Sequence, residues 1–96
     1  MAYRVSDDAG DDIVQIYAIG AREFGPRLAD RYHDGLFDLF DLLAVSPGIA
    51  SERREIVPPV RVHPYGSHIV IYRTEGRDIL IVRVRHGRED WISDPV

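Results

Sequence analysis

The sequence predicts an α+β fold: an N-terminal helical hairpin packed on a small antiparallel β-sheet, in the order β-α-α-β-β-β. Three observations carry the prediction. Apolar residues recur at helical spacing through the first half of the chain, in two segments divided by Gly25-Pro26. After Ser51 the pattern shifts toward extended chain, with β-rich clusters at Ile69-Val70-Ile71 and Ile79-Leu80-Ile81-Val82. Between those clusters, Glu75-Gly76-Arg77 reads as a tight hairpin connection.

Each element has a local cause. Tyr3-Arg4-Val5 is a short extended start, and Ser6 is suited to cap the helix that follows. Asp7, Asp8, Asp11 and Asp12 crowd its first turns, where exposed amides and the helix dipole favour carboxylates. Ile13, Ile16, Tyr17 and Phe24 form its apolar stripe, and Gly20 weakens it from within. Pro26 fits the first position of a second helix. There Leu28, Tyr32, Leu36, Leu39, Phe40 and Leu43 share one face, and Asp30, Asp34, Asp38 and Asp41 share the other. This helix spans about 20 residues and ends at Pro47-Gly48. Pro58-Pro59 forbids a regular central strand in 55–63, so a bent or edge strand is expected, followed by a turn at Pro64-Tyr65-Gly66. Residues 67–74 and 78–86 are strands. Strict alternation in the last one sets Leu80, Val82, Val84 and His86 on one face, and Ile79, Ile81, Arg83 and Arg85 on the other.

At 96 residues the chain is one domain, 1–96, and 45% hydrophobic against 29% charged residues is enough to build a core rather than a disordered tail. Without cysteine it has no disulfide, thiolate nucleophile or Cys-ligated zinc. Its longest apolar runs fall far short of the roughly 20 residues of a membrane span. Met1-Ala2-Tyr3-Arg4 carries no signal-peptide core, so a cytoplasmic protein that does not enter the membrane is expected. Charge is divided unevenly. Residues 1–50 hold four arginines against nine acids, and residues 53–88 hold eight arginines against three. Lysine is absent, and guanidinium forks pair bidentately with carboxylate or phosphate, so the basic half suits an anionic partner. His63, His68 and His86 match no zinc spacing, and the aspartates of 7–12 lack the glycine and terminal glutamate of a calcium loop. No metal, cofactor or catalytic residue is expected.

The ordered set Ser6-x-x-Ala9-x-x-Asp12-Ile13-x-x-Ile16-Tyr17, Phe24-Gly25, Ala29, Tyr32, Leu36, Phe40, Leu43 and Pro47 resembles the first half of the ParE toxins of the RelE/ParE superfamily. The second half is similar too, through Arg61, Gly66-Ser67-His68-x-Val70-x-Tyr72-Arg73 and Ile79-x-Ile81-x-Arg83-Val84-x-His86-Gly87-Arg88-x-Asp90. Pro59 departs from the family, which often has glycine there, and the tail from Glu89 to Val96 is acidic with a tryptophan.

The resemblance implies the toxin of a type II toxin–antitoxin system. Such a toxin stabilises plasmids, inhibits DNA gyrase by binding, and is held inactive by a cognate ParD-like antitoxin through which alone the complex reaches operator DNA. Under that reading Arg83, Arg85, His86 and Arg88 form a basic lip toward the target, and Trp91 is a candidate anchor because tryptophan is enriched at binding hot spots. Arg83 has a structural reading as well, as the partner of a helix aspartate. Arg61, Tyr72 and Arg73 are candidate antitoxin contacts. Two alternatives stand beside it. One is a RelE-like ribosome-dependent mRNA endonuclease, against which count the absence of lysine and of any tyrosine after Tyr72. The other is a non-toxic homologue that acts only in operon regulation.

Overall fold

A computed structural model describes residues 2–92. Strand β1 (Tyr3–Val5) leads into helices α1 (Asp7–Phe24) and α2 (Pro26–Val45), and a 3-10 turn at Pro47–Ile49 precedes β2 (Glu52–Arg53), β3 (Val60–Tyr65), β4 (His68–Glu75) and β5 (Asp78–His86). The five strands form one sheet in the order β1-β5-β4-β3-β2. The arrangement is the expected α+β one, a helical hairpin on a sheet. The β2-β3-β4-β5 part is antiparallel, and β1 adds a short parallel edge beside β5.

The helix start is built as its residues dictate. The Ser6 hydroxyl accepts from the Ala9 N–H at 3.0 Å and donates to the Val82 carbonyl at 2.7 Å, so one side chain caps α1 and ties it to β5. Helix α2 begins with Pro26 at its first turn, as the sequence indicates. Only Gly25 separates the two helices, which lie back to back with Gly20 against Ala29 and Tyr17 donating to Asp30 at 2.5 Å.

The hairpin covers one face of the sheet. Leu36, Phe40 and Leu43 from α2 meet Val70, Tyr72, Ile79, Ile81 and Val84, all nearly or wholly buried. At about 1.5–3 kcal/mol for each such side chain, this layer is the principal stabilising term. Tyr3 seals one end, its ring 5.4 Å from that of Phe40. The opposite face carries a smaller cluster of Ile56, Val60, Ile71 and Val82, with Trp91 packed against it.

Three expectations are corrected. The strand that precedes the first β-turn continues through Pro64 and Tyr65, and the turn falls at Gly66-Ser67. Pro64 is tolerated because β2 pairs only with Val60 and Arg61, leaving the rest of β3 as an edge that needs no donor from it. Strict alternation in β5 fails at Val82: Tyr72 pairs with Ile81 while Ile71 pairs with Arg83, so one residue is bulged out. The parity inverts there, and Val84 joins Ile79 and Ile81 against the helices, while Leu80 and Val82 pack on the opposite face. Finally, Phe24 and Leu28, placed by periodicity in the apolar stripes, are 67% and 52% exposed. Both lie at the tip of the hairpin, where they wall a groove instead of filling the core.

Candidate functional site: an apolar groove and a basic lip

Between α1, the first half of α2 and the near end of the sheet runs an open groove of about 780 Å³. Ile16, Ile19, Phe24 and Leu28 line its helical side, while Tyr32, Tyr65, His68 and His86 close the end toward the sheet. Ile19, Phe24 and Leu28 are large apolar side chains left in water, so covering them releases hydration free energy at about 25 cal/mol per Å².

The floor of the groove is a hydrogen-bonded cluster. The Tyr65 hydroxyl donates to the Tyr32 carbonyl at 2.7 Å, and the Tyr32 hydroxyl donates to the Tyr65 carbonyl at 3.0 Å. The Tyr32 hydroxyl also shares a hydrogen bond of 2.7 Å with His68 Nδ1, whose direction is set by the His68 tautomer. Burial holds the His68 pKa below the ordinary histidine value. The neighbouring His86 adds to that depression and Glu89 opposes it. His68 and His86 are register partners on β4 and β5, with ring centroids 5.4 Å apart in an edge-to-face contact. Burial also raises the pKa of Tyr32.

Beyond β5 the chain makes a tight turn organised by Glu89. Its carboxylate accepts from Arg85 Nε at 2.8 Å and from the His86 N–H at 3.1 Å, and its own N–H donates to the His86 carbonyl at 3.0 Å. The bond from Arg85 keeps the Glu89 carboxyl below the usual range. The Arg88 N–H donates to His86 Nδ1 at 3.1 Å, so the neutral imidazole of His86 carries its proton on Nε2. Arg88 itself is exposed.

The residues singled out from the sequence fall in four places. Arg83 is engaged with the helix: its guanidinium forks onto Asp12 at 2.7 and 2.9 Å, and the same carboxylate accepts the Val84 N–H at 3.0 Å. Arg85, His86 and Arg88 share the lip. Trp91 lies on the opposite sheet face with Arg53 over its ring at 5.4 Å, while the rest of the acidic tail, residues 93–96, lies outside the described residues. Arg61 donates to the Ala50 carbonyl at 2.6 Å and Arg73 pairs with Glu75 at 3.0 Å. Tyr72, grouped with them as an antitoxin contact, is completely buried and donates to the Pro47 carbonyl at 2.7 Å, so its side chain presents no surface to a partner.

Sequence reasoning missed Glu89 as the organiser of the lip, although the Arg85-x-x-x-Glu89 spacing was visible. It also missed Tyr65, assigned to a turn. Among the described residues no group of three His, Asp or Glu side chains is arranged to hold a metal ion, and no helix is long and apolar enough to cross a membrane. The arrangement offers contact surface and fixed cations.

Comparison with known proteins agrees with this architecture. No curated protein matches the chain. A solved structure described as the chromosomal ParDE TA system from P. aeruginosa superposes with a TM-score of 0.77 at 22% identity, covering 90% of this chain and 95% of that one, a likeness of fold. The family model for the ParE toxin of the type II toxin–antitoxin system parDE matches residues 3–91, from β1 to the tryptophan beyond the lip. The chain therefore belongs to the ParE toxin family of type II toxin–antitoxin systems.

Proposed function

We propose that this protein inhibits DNA gyrase by binding, without catalysis, in the cytoplasm, and that a cognate ParD-like antitoxin neutralises it. The observation that carries the reading is the family match over residues 3–91. The lip supports it, because Arg85, His86 and Arg88 are gathered at one corner and Arg88 projects into solvent. Arg83, tied to Asp12, orients β5 beneath them, and Trp91, on the opposite sheet face, is a separate candidate target contact.

The antitoxin's apolar segment is assigned to the groove, where Ile19, Phe24 and Leu28 await cover, and its acidic residues to Arg61 and Arg73 at the other end of the sheet. Tyr72 supports that end from below. Operator DNA is reached through the antitoxin.

The test is supercoiling by purified gyrase with increasing amounts of this protein, scoring linear DNA after detergent and protease treatment. Loss of supercoiling with accumulation of linear DNA is expected, relieved by joint replacement of Arg88 and Trp91 with alanine. No effect at micromolar protein overturns the reading. Cleavage of ribosome-bound mRNA would then identify the endonuclease alternative, and its absence a homologue active only in operon regulation.

A further inference from the structure

A second, smaller depression of about 410 Å³ opens at the base of the lip, lined by Ser67, His86, Gly87 and Arg88. Its position is fixed by backbone bonds: the Gly87 N–H donates to the Ser67 carbonyl at 2.9 Å, closing the β5 turn onto the β3–β4 turn. We propose that this depression is a phosphate site that seats one phosphodiester of a nucleic-acid strand.

The chemistry of the lining is one-sided. His86 Nδ1 is occupied by the Arg88 N–H, so Nε2 is a donor. Among the described residues neither the Arg88 guanidinium nor the Ser67 hydroxyl has a side-chain partner, whereas Arg83 is held by Asp12 and Arg85 by Glu89. The side chains therefore bring an imidazole N–H, a guanidinium and a hydroxyl, and no carboxylate. Of the turn's two acids, Glu89 is paired with Arg85 at 2.7 Å, and neither it nor Asp90 is among the lining residues. A lining that offers three side-chain donors and no carboxylate suits an anion with several acceptor oxygens, as a phosphate has. The depression is open at the surface, so a phosphate seated there can belong to a longer strand. Nothing in the lining reads a base edge, and binding is indifferent to sequence. The role of this contact, touching the DNA of a toxin–target complex, rests on the gyrase reading. The binding itself does not.

The experiment measures anisotropy of a labelled 20-nucleotide single-stranded DNA with the full chain, from 50 to 200 mM salt, with inorganic phosphate as a competitor. Arg88→Ala is expected to weaken binding about tenfold and to reduce the salt slope by about one. Arg77→Ala removes the same charge from the hairpin loop at the opposite end of β5 and is expected to leave both nearly unchanged. Amide resonances of Ser67, Gly87 and Arg88 are expected to shift on titration with the DNA. Equal weakening by both substitutions, or by neither, overturns the site. Saturation by inorganic phosphate at concentrations as low as those of DNA phosphate overturns the strand and leaves a free-anion pocket. Because gyrase is absent, a positive result survives failure of the supercoiling test, and a negative one leaves that test untouched.

Discussion

Tyr32 and Tyr65 exchange hydrogen bonds, each hydroxyl donating to the other's backbone carbonyl at 3.0 and 2.7 Å, with ring centroids 4.8 Å apart. Helix α2 is thereby joined to the end of β3 at the place where the groove floor begins. The exchange needs two close approaches. A Cβ on Gly35 would overlap the Tyr65 hydroxyl, and one on Gly66, at φ +54°, would lie 2.5 Å from that of Tyr32.

The first prediction uses that geometry. Gly35→Ala is expected to destabilise the protein by about 1–3 kcal/mol, because the methyl displaces the Tyr65 hydroxyl. In a Tyr65→Phe background the nearest ring atom stands 3.3 Å away, and the sign reverses toward the roughly 1 kcal/mol that alanine gains over glycine in a helix. Urea denaturation of the four proteins of this cycle checks it. Additive effects would show that the clash is not the cause.

Asp12 and Arg83 give the second. Both side chains are largely shielded, at 15% and 21% exposure, and Asp12 also accepts the Val84 N–H where β5 runs beyond its β1 partner. Asp12→Ala is expected to cost about 1.5–3 kcal/mol, with Arg83→Ala similar and the double variant less than the sum. Denaturant midpoints measure this. Any loss of toxicity on replacing Arg83 should then track folded protein rather than target affinity at fixed folded concentration.

His68 sets a pH dependence. Its folded pKa lies below the ordinary 6.5 through burial and the proximity of His86, with Glu89 acting in the opposite direction. As pH falls below about 6.5 the unfolded chain takes up the proton first, so this stabilisation is complete above that value and declines as pH drops toward the lowered folded pKa. Glu89, with a depressed carboxyl pKa, loses its contribution only at lower pH, below its ordinary 4.5. Stability measured at pH 7.5, 6.5 and 5.5 is therefore expected to fall, and His68→Gln to flatten the curve in this interval. An equal slope in that variant would assign the effect elsewhere.

Trp91 covers Val82 and its neighbours on the sheet face opposite the helices. Trp91→Ala is expected to cost about 1–2 kcal/mol through lost burial, and Arg53→Ala, which removes the cation over the ring, about 0.5–1 kcal/mol. As the chain's one tryptophan, Trp91 reports on itself, and its emission is expected to shift to longer wavelength when Arg53 is replaced. An unchanged spectrum would place Arg53 away from the ring in solution.

What the sequence determined by itself was everything governed by local chemistry and by order along the chain. Ser6 and Pro26 mark the helix starts, Pro47-Gly48 the stop, and Gly76 the β4–β5 hairpin, because capping, proline geometry and turn preference act over a few residues. The ordered motif pattern likewise indicated the ParE family, and the pairing of Arg83 with a helix aspartate was anticipated. Tertiary structure decided the rest. The bulge at Val82 inverted the facing of Val84, since register depends on the partner strand and not on the β5 sequence. Phe24 and Leu28 satisfy helical periodicity yet wall a groove, because periodicity gives a face but not what lies opposite it. The union of Tyr32, His68 and His86, drawn from a helix and two strands, and the separation of an engaged Arg85 from a projecting Arg88 follow from distances between segments that only folding brings together.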